Sequence, residues 1–134
     1  MDLVHTVTLL DAESSGGLNI WGPLPDSGCG QPHRSPVTEE SYRAYLSRRA
    51  ECGDQGLGPL QITWHGLQDL GEIWRPEINV RVGLAEFARL LTRNTVRDSF
   101  SRWRYGDPED EVDNPTYVDE AMDLLPRWQQ VIDG

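Results

Sequence analysis

The sequence contains no lysine; all 12 basic residues are arginine, a usage that fits GC-rich coding DNA better than 12 separate needs for a guanidinium. Positive charge is scarce altogether. Against those 12 stand 22 acidic residues, for a net charge of −10. A nucleic-acid binder needs a basic face for phosphates, and an anionic membrane attracts basic segments, so the charge argues against both partner classes. No apolar run is long enough to span a bilayer. Met1 to Leu10 carry neither the basic segment nor the small-residue cleavage site of a secretory signal, so the expectation is a cytosolic protein or one released by another route.

Cysteine is nearly absent. Cys29 and Cys52 lack the CxxC spacing of a zinc site. One disulfide across a loop and two separate thiols both fit. His5, His33 and His65 are scattered without ligand spacing, so no metal is expected. Aromatic bulk is better supplied, with five Trp and four Tyr for burial or for a ligand groove. The 134 residues suffice for one compact domain, 1–134, and no more.

Hydrophobic spacing predicts a helix over 2–13, ended by Ser14-Ser15-Gly16-Gly17. Glu13 then lies in its last turn, the end where the helix dipole disfavours a carboxylate. Residues 18–37 hold four Pro and read as a long loop, with turns at Gly22-Pro23, Pro25-Asp26 and Gly28. Thr38 is placed to cap a helix whose first turn carries Glu39 and Glu40.

Gly53, Gly56 and Gly58 mark turns around a small β element at 57–62, where Leu60 and Ile62 flank an oppositely directed Gln61. Thr63 is expected to cap a short helix ending near Gly71. Pro76 opens a helix with core positions Val80, Gly83, Leu84, Phe87, Leu90 and Leu91. Val96, Phe100 and Trp103 mark another, ending at Tyr105-Gly106. Asp107 to Pro115 reads as an acidic loop. Thr116 with Asp119 opens a last helix through Leu125, which Pro126 kinks or ends. The class is α+β, mainly α.

Glu13 and Asp54 are carboxyl groups of the kind that glycan chemistry uses. Glycoside hydrolysis takes a protonated acid at the leaving oxygen, and an inverting enzyme adds a carboxylate that activates water about 6.5–9.5 Å away. Glu13, given a partly apolar pocket, and Asp54, in a Gly-rich loop, fit these parts.

Glu13-Ser14-Ser15-Gly16 resembles the catalytic Glu-Ser segment of goose-type lysozymes and soluble lytic transglycosylases. Gly56-Leu57-Gly58-Pro59-Leu60-Gln61-Ile62 looks like their Gly-Leu-Met-Gln segment, and Glu77-Ile78-Asn79-Val80-Arg81-Val82-Gly83 like the Asn-Ile-x-x-Gly stretch that opens a core helix. Trp103-Arg104-Tyr105-Gly106 and Tyr117-Val118 are similar to the later Tyr-Asn-x-Gly and Tyr-Val motifs. All five follow the family's order.

The resemblance implies a lysozyme-like fold with a small β/loop lobe. It implies cleavage of the β-1,4-linked N-acetylmuramic acid–N-acetylglucosamine chain of peptidoglycan without a cofactor. Glu13 would be the general acid and Asp54 would position water. Ser14, Gln61 and Tyr105 would line the sugar subsites. The family's second Asp falls on Thr63, and Gly106 replaces Asn. A hydrolase needs activated water; a transglycosylase lets the sugar's own 6-hydroxyl attack, giving 1,6-anhydro ends. Asp54 favours the hydrolase. A non-catalytic glycan-binding module and an acidic protein-interaction domain are the remaining alternatives.

The expected setting is the glycosidase domain of a phage endolysin. It would be a monomer excised from a longer multidomain chain, held in the host cytoplasm until a holin releases it to the wall. Trp21, Trp64 and Trp74 are candidates for stacking on sugars, whereas Trp103 and Trp128 suit packing.

Overall fold

The structure, a computed structural model, describes residues 1–23, 29–105 and 116–134, with Tyr105 described in its backbone only. It is mainly helical. The helices are α1 (Leu3–Ser14), α2 (Glu39–Cys52), α3 (His65–Gln68), α4 (Pro76–Arg93), α5 (Val96–Tyr105) and α6 (Thr116–Asp133). No described helix is long and apolar enough to cross a membrane. The chain forms two compact units, one of Met1–Ala12 with Leu84–Gly134 and the other of Glu13–Gly83.

In the first unit the core comprises Val4, Leu9, Phe87, Phe100, Trp103, Val118 and Ala121. Phe87 meets Phe100 with ring centroids 4.9 Å apart, and Trp103 edge-on at 5.8 Å, the offset geometries that aromatic quadrupoles prefer. Helix α5 packs against α6, and Arg97 bonds Asp119 across them at 3.0 Å. Contrary to the proline rule, α6 runs through Pro126 to Asp133. Proline costs the helix one hydrogen bond. The turn beyond it is held by tertiary contact, since Trp128 Nε1 donates to Asp11 Oδ2 at 3.1 Å.

The second unit buries Trp21, Val37, Tyr42, Tyr45, Leu57, Leu60, Ile62 and Ile73. Thr38 caps α2 as its sequence requires. Its side chain accepts from Ser41 N–H at 3.0 Å, and Ser41 Oγ accepts from Thr38 N–H at 2.9 Å. Ser41 Oγ also accepts from Trp21 Nε1 at 3.0 Å, so the cap anchors the loop that follows α1.

The expected β element is reduced to isolated bridges, Ile20 with Pro36, Trp21 with Leu57, and Leu57 with Ile62. Residues 58–61 form a turn, and Gln61 has φ 50° rather than an extended backbone. Thr63 does not cap α3; Trp64 stands at that position without a side-chain cap. The Leu57–Ile62 bridge keeps the chain extended past Thr63, so the helix starts only at His65.

Helix α4 presents Asn79, Gly83 and Phe87 as its buried stripe, at i, i+4 and i+8. Val80, Leu84, Leu90 and Leu91 are only half-buried. Gly83 is required by close approach, because a Cβ there would run into Leu60 Cδ1. Cys29 and Cys52 are joined as a disulfide, with Cα atoms 5.4 Å apart across 23 residues.

Two outcomes follow for stability. Replacing both cysteines by serine should cost about 3 kcal/mol in denaturant unfolding, by freeing the unfolded loop. Gly83→Ala should lower stability by about 1–3 kcal/mol, although alanine favours a helix by about 1 kcal/mol, because Leu60 is fully enclosed and cannot yield.

Candidate active site

Glu13 occupies the last turn of α1 and is half-buried. The helix ends one residue later in a left-handed turn, with φ 56°, 104° and 99° at Ser15, Gly16 and Gly17. Ser14 is buried and shapes that turn. Its Oγ accepts from Gly17 N–H at 3.0 Å, and its carbonyl accepts from Leu18 N–H at 3.3 Å.

Ile20, past this turn and bridged to Pro36, meets the second motif. Its carbonyl accepts from Gly58 N–H at 3.0 Å and from Gln61 Nε2 at 3.0 Å. Gln61 Nε2 also donates to Gly58 O at 2.9 Å. The Gln61 side chain lies over Gly22 and Gly56, where any Cβ would collide with its Oε1. The two glycines therefore make room for the amide that the sequence assigned to a sugar subsite. Its NH2 is committed to backbone carbonyls, so Gln61 ties the chain at Ile20 to the 57–62 turn.

The third motif supports the same turn from below. Asn79 is fully buried; its Oδ1 accepts from Leu60 N–H at 3.0 Å and its Nδ2 donates to Leu57 O at 2.8 Å. Two further buried amides complete the frame. Gln55 Nε2 donates to Gly22 O at 2.9 Å and Gln31 O at 2.6 Å, and its Oε1 accepts from Gln31 N–H at 3.1 Å. Gln68 Nε2 donates to Gln55 O at 2.9 Å and Ile62 O at 2.7 Å. Gln68 Oε1 accepts from Tyr45 OH at 3.0 Å and from Arg49 at 3.2 Å.

Asp54 stands in this frame between two fixed neighbours. Gly53 closes α2 by donating to Arg49 O at 2.9 Å, and Gln55 is buried. The Asp54 side chain is exposed and pairs with His65, Oδ1 to Nε2, at 2.5 Å. Sequence reading missed His65, Gln55 and Gln68, and it read Asn79 only as the opening of a helix.

Tyr105 closes α5, but its side chain, Gly106 and the acidic run Glu109 to Asp113 lie outside the described residues, as do the turns expected at Pro25-Asp26 and Gly28. Among the described residues, no three His, Cys, Asp or Glu side chains are grouped to hold a metal ion. Trp21 is withdrawn as a stacking platform: it is fully buried, 4.8 Å from the Tyr45 ring. Trp64 and Trp74 are half-buried.

Burial raises the pKa of Tyr45 above its ordinary value of 10, and the nearby charge of Asp54 adds to this against its hydrogen bonds with Gln55 and Gln68. Tyr42 is raised by burial and then by Asp69, and it donates to Gln68 O at 2.6 Å.

No family model, curated protein or solved structure matches the chain.

The raised phenols predict an alkaline limit to stability. The unfolded chain ionises its tyrosines near pH 10, while the native chain holds Tyr42 and Tyr45 protonated to higher pH. Their contribution is complete below pH 10 and is lost as pH rises toward the native values. The unfolding midpoint should fall above pH 10 in an alkaline series, and less steeply in Tyr45→Phe.

Proposed function

We propose that this chain cleaves the glycan strand of bacterial peptidoglycan as a lysozyme-like glycoside hydrolase, with Glu13 as general acid. One observation carries the reading. The two segments around Gln61 and Asn79 that resemble family motifs share hydrogen bonds at the 57–62 turn, and Gln61 also bonds Ile20 in the stretch that follows Glu13, all within one compact unit.

In this reading Glu13 protonates the glycosidic oxygen. It sits half-buried at the carbonyl end of α1, where the helix dipole gives a carboxylate least support. Asp54, exposed and rigidly based, receives a proton from the attacking water. Ser14 and Gln61 shape the floor of the sugar subsites. The reaction needs no cofactor.

The setting we propose is a phage endolysin domain that reaches the wall after release from the host cytoplasm. The Cys29–Cys52 bond supports action outside a reducing cytosol, since disulfides persist where thiols are not kept reduced. Thr63 favours a second reading. Without a carboxylate there, water activation rests on Asp54 alone, and a transglycosylase that uses the sugar's own hydroxyl dispenses with it.

Incubation with purified peptidoglycan, followed by mass spectrometry of the products, tests these readings. New reducing ends are expected, and Glu13→Gln should lower their rate by about 10²–10⁴-fold. Anhydro ends would keep Glu13 and replace the hydrolase by a transglycosylase. Binding to the wall with no products would sink both.

A further inference from the structure

We propose that His65 is the positioning residue for Asp54, a role that rests on reading Asp54 as the water-activating carboxylate. The two side chains meet at 2.5 Å, Nε2 to Oδ1, with 56% of His65 and 48% of Asp54 exposed. An isolated exposed pair holds its geometry poorly, because two mobile side chains must be ordered at once. Here both backbones are fixed beforehand. Asp54 follows the closing glycine of α2 and precedes the buried Gln55. His65 opens α3, whose other end is the buried Gln68 with both its amide hydrogens committed.

Other charges nearby are engaged elsewhere. On α2, Arg49 bonds Asp69 Oδ1 at 2.9 Å and Gln68 Oε1 at 3.2 Å, and Arg48 faces Glu51 at 3.8 Å. Tyr45 is turned to Gln55 and Gln68. Among the described residues, His65 is the one cation-capable group bonded to Asp54.

The chemistry follows from that geometry. A carboxylate acting as base must aim one oxygen at a water while the carboxyl plane is held. Because a carboxylate acting as base only accepts, the imidazole Nε2–H is the donor to Oδ1 and leaves Oδ2 for the water, a donation that a second carboxylate could not make. His65 stands two residues beyond Thr63, the position where the goose-type pattern places its second Asp.

The test uses the native, disulfide-bonded protein with His65→Ala and His65→Gln, the latter retaining an N–H donor. Side-chain scalar couplings should report one χ1 rotamer for Asp54 in the native protein and in His65→Gln, and an average in His65→Ala. On peptidoglycan, His65→Ala should lower kcat by about 10- to 100-fold with KM nearly unchanged, and His65→Gln should recover most of it. A native protein with full turnover whose His65→Ala variant keeps its kcat, or whose Asp54 rotamer is already averaged, overturns the positioning role alone. A folded native protein without turnover overturns the reading of Asp54 and this role with it.

Discussion

Buried backbone groups must find partners, and in residues 53–79 almost no β ladder exists to supply them. Three buried carboxamides, Gln55, Gln68 and Asn79, take the ladder's place, and Gln61 adds a fourth at the surface. Each reaches across a turn to main-chain groups distant in sequence. Between them the three buried amides satisfy main-chain groups of Leu57, Leu60, Ile62 and Gln31. A carboxamide suits this work because it donates twice and accepts at the other end without charge. Truncating one would strand its partners, each at a cost of about 1–3 kcal/mol.

The frame explains why this loop-rich unit carries the candidate chemistry. Loops place side chains in the open, but ordinary loops place them loosely. Here the exposed pair, Asp54 and His65, springs from backbone pinned on both sides by Gln55 and Gln68. The disulfide acts on the same frame. Cys52 lies two residues before Asp54, and Cys29 two before Gln31, whose main chain Gln55 grips. A covalent tie and a set of amide bonds therefore hold the same two strands of chain.

The helices were legible where signals are local. Helical spacing located α1, Thr38 opened α2, Pro76 opened α4, and Phe100 with Trp103 marked the buried face of α5. The errors share one cause, tertiary contact overriding local preference. Alternating Leu60 and Ile62 imitated a strand, whereas the amides fold that segment as a turn. Pro126 signalled a kink or a stop, yet the helix continues to Asp133, with Trp128 held by Asp11, more than a hundred positions away in sequence. At the site, Glu13 at the end of α1 was readable from spacing. Nothing local announces that Gln55 or Gln68 is buried, for glutamine is commonly exposed. Nor does any motif join His65 to Asp54 across the 57–62 turn.

Native-state hydrogen exchange of the Leu60 and Gln31 amides tests the central claim most directly. Both N–H groups lie in loops, and both donate only to carboxamide oxygens, Asn79 Oδ1 and Gln55 Oε1. If the amide frame is the scaffold, they should exchange as slowly as the helical amides of α2, at the rate of global unfolding. Exchange at the rate of an open loop, with α2 still protected, would contradict it.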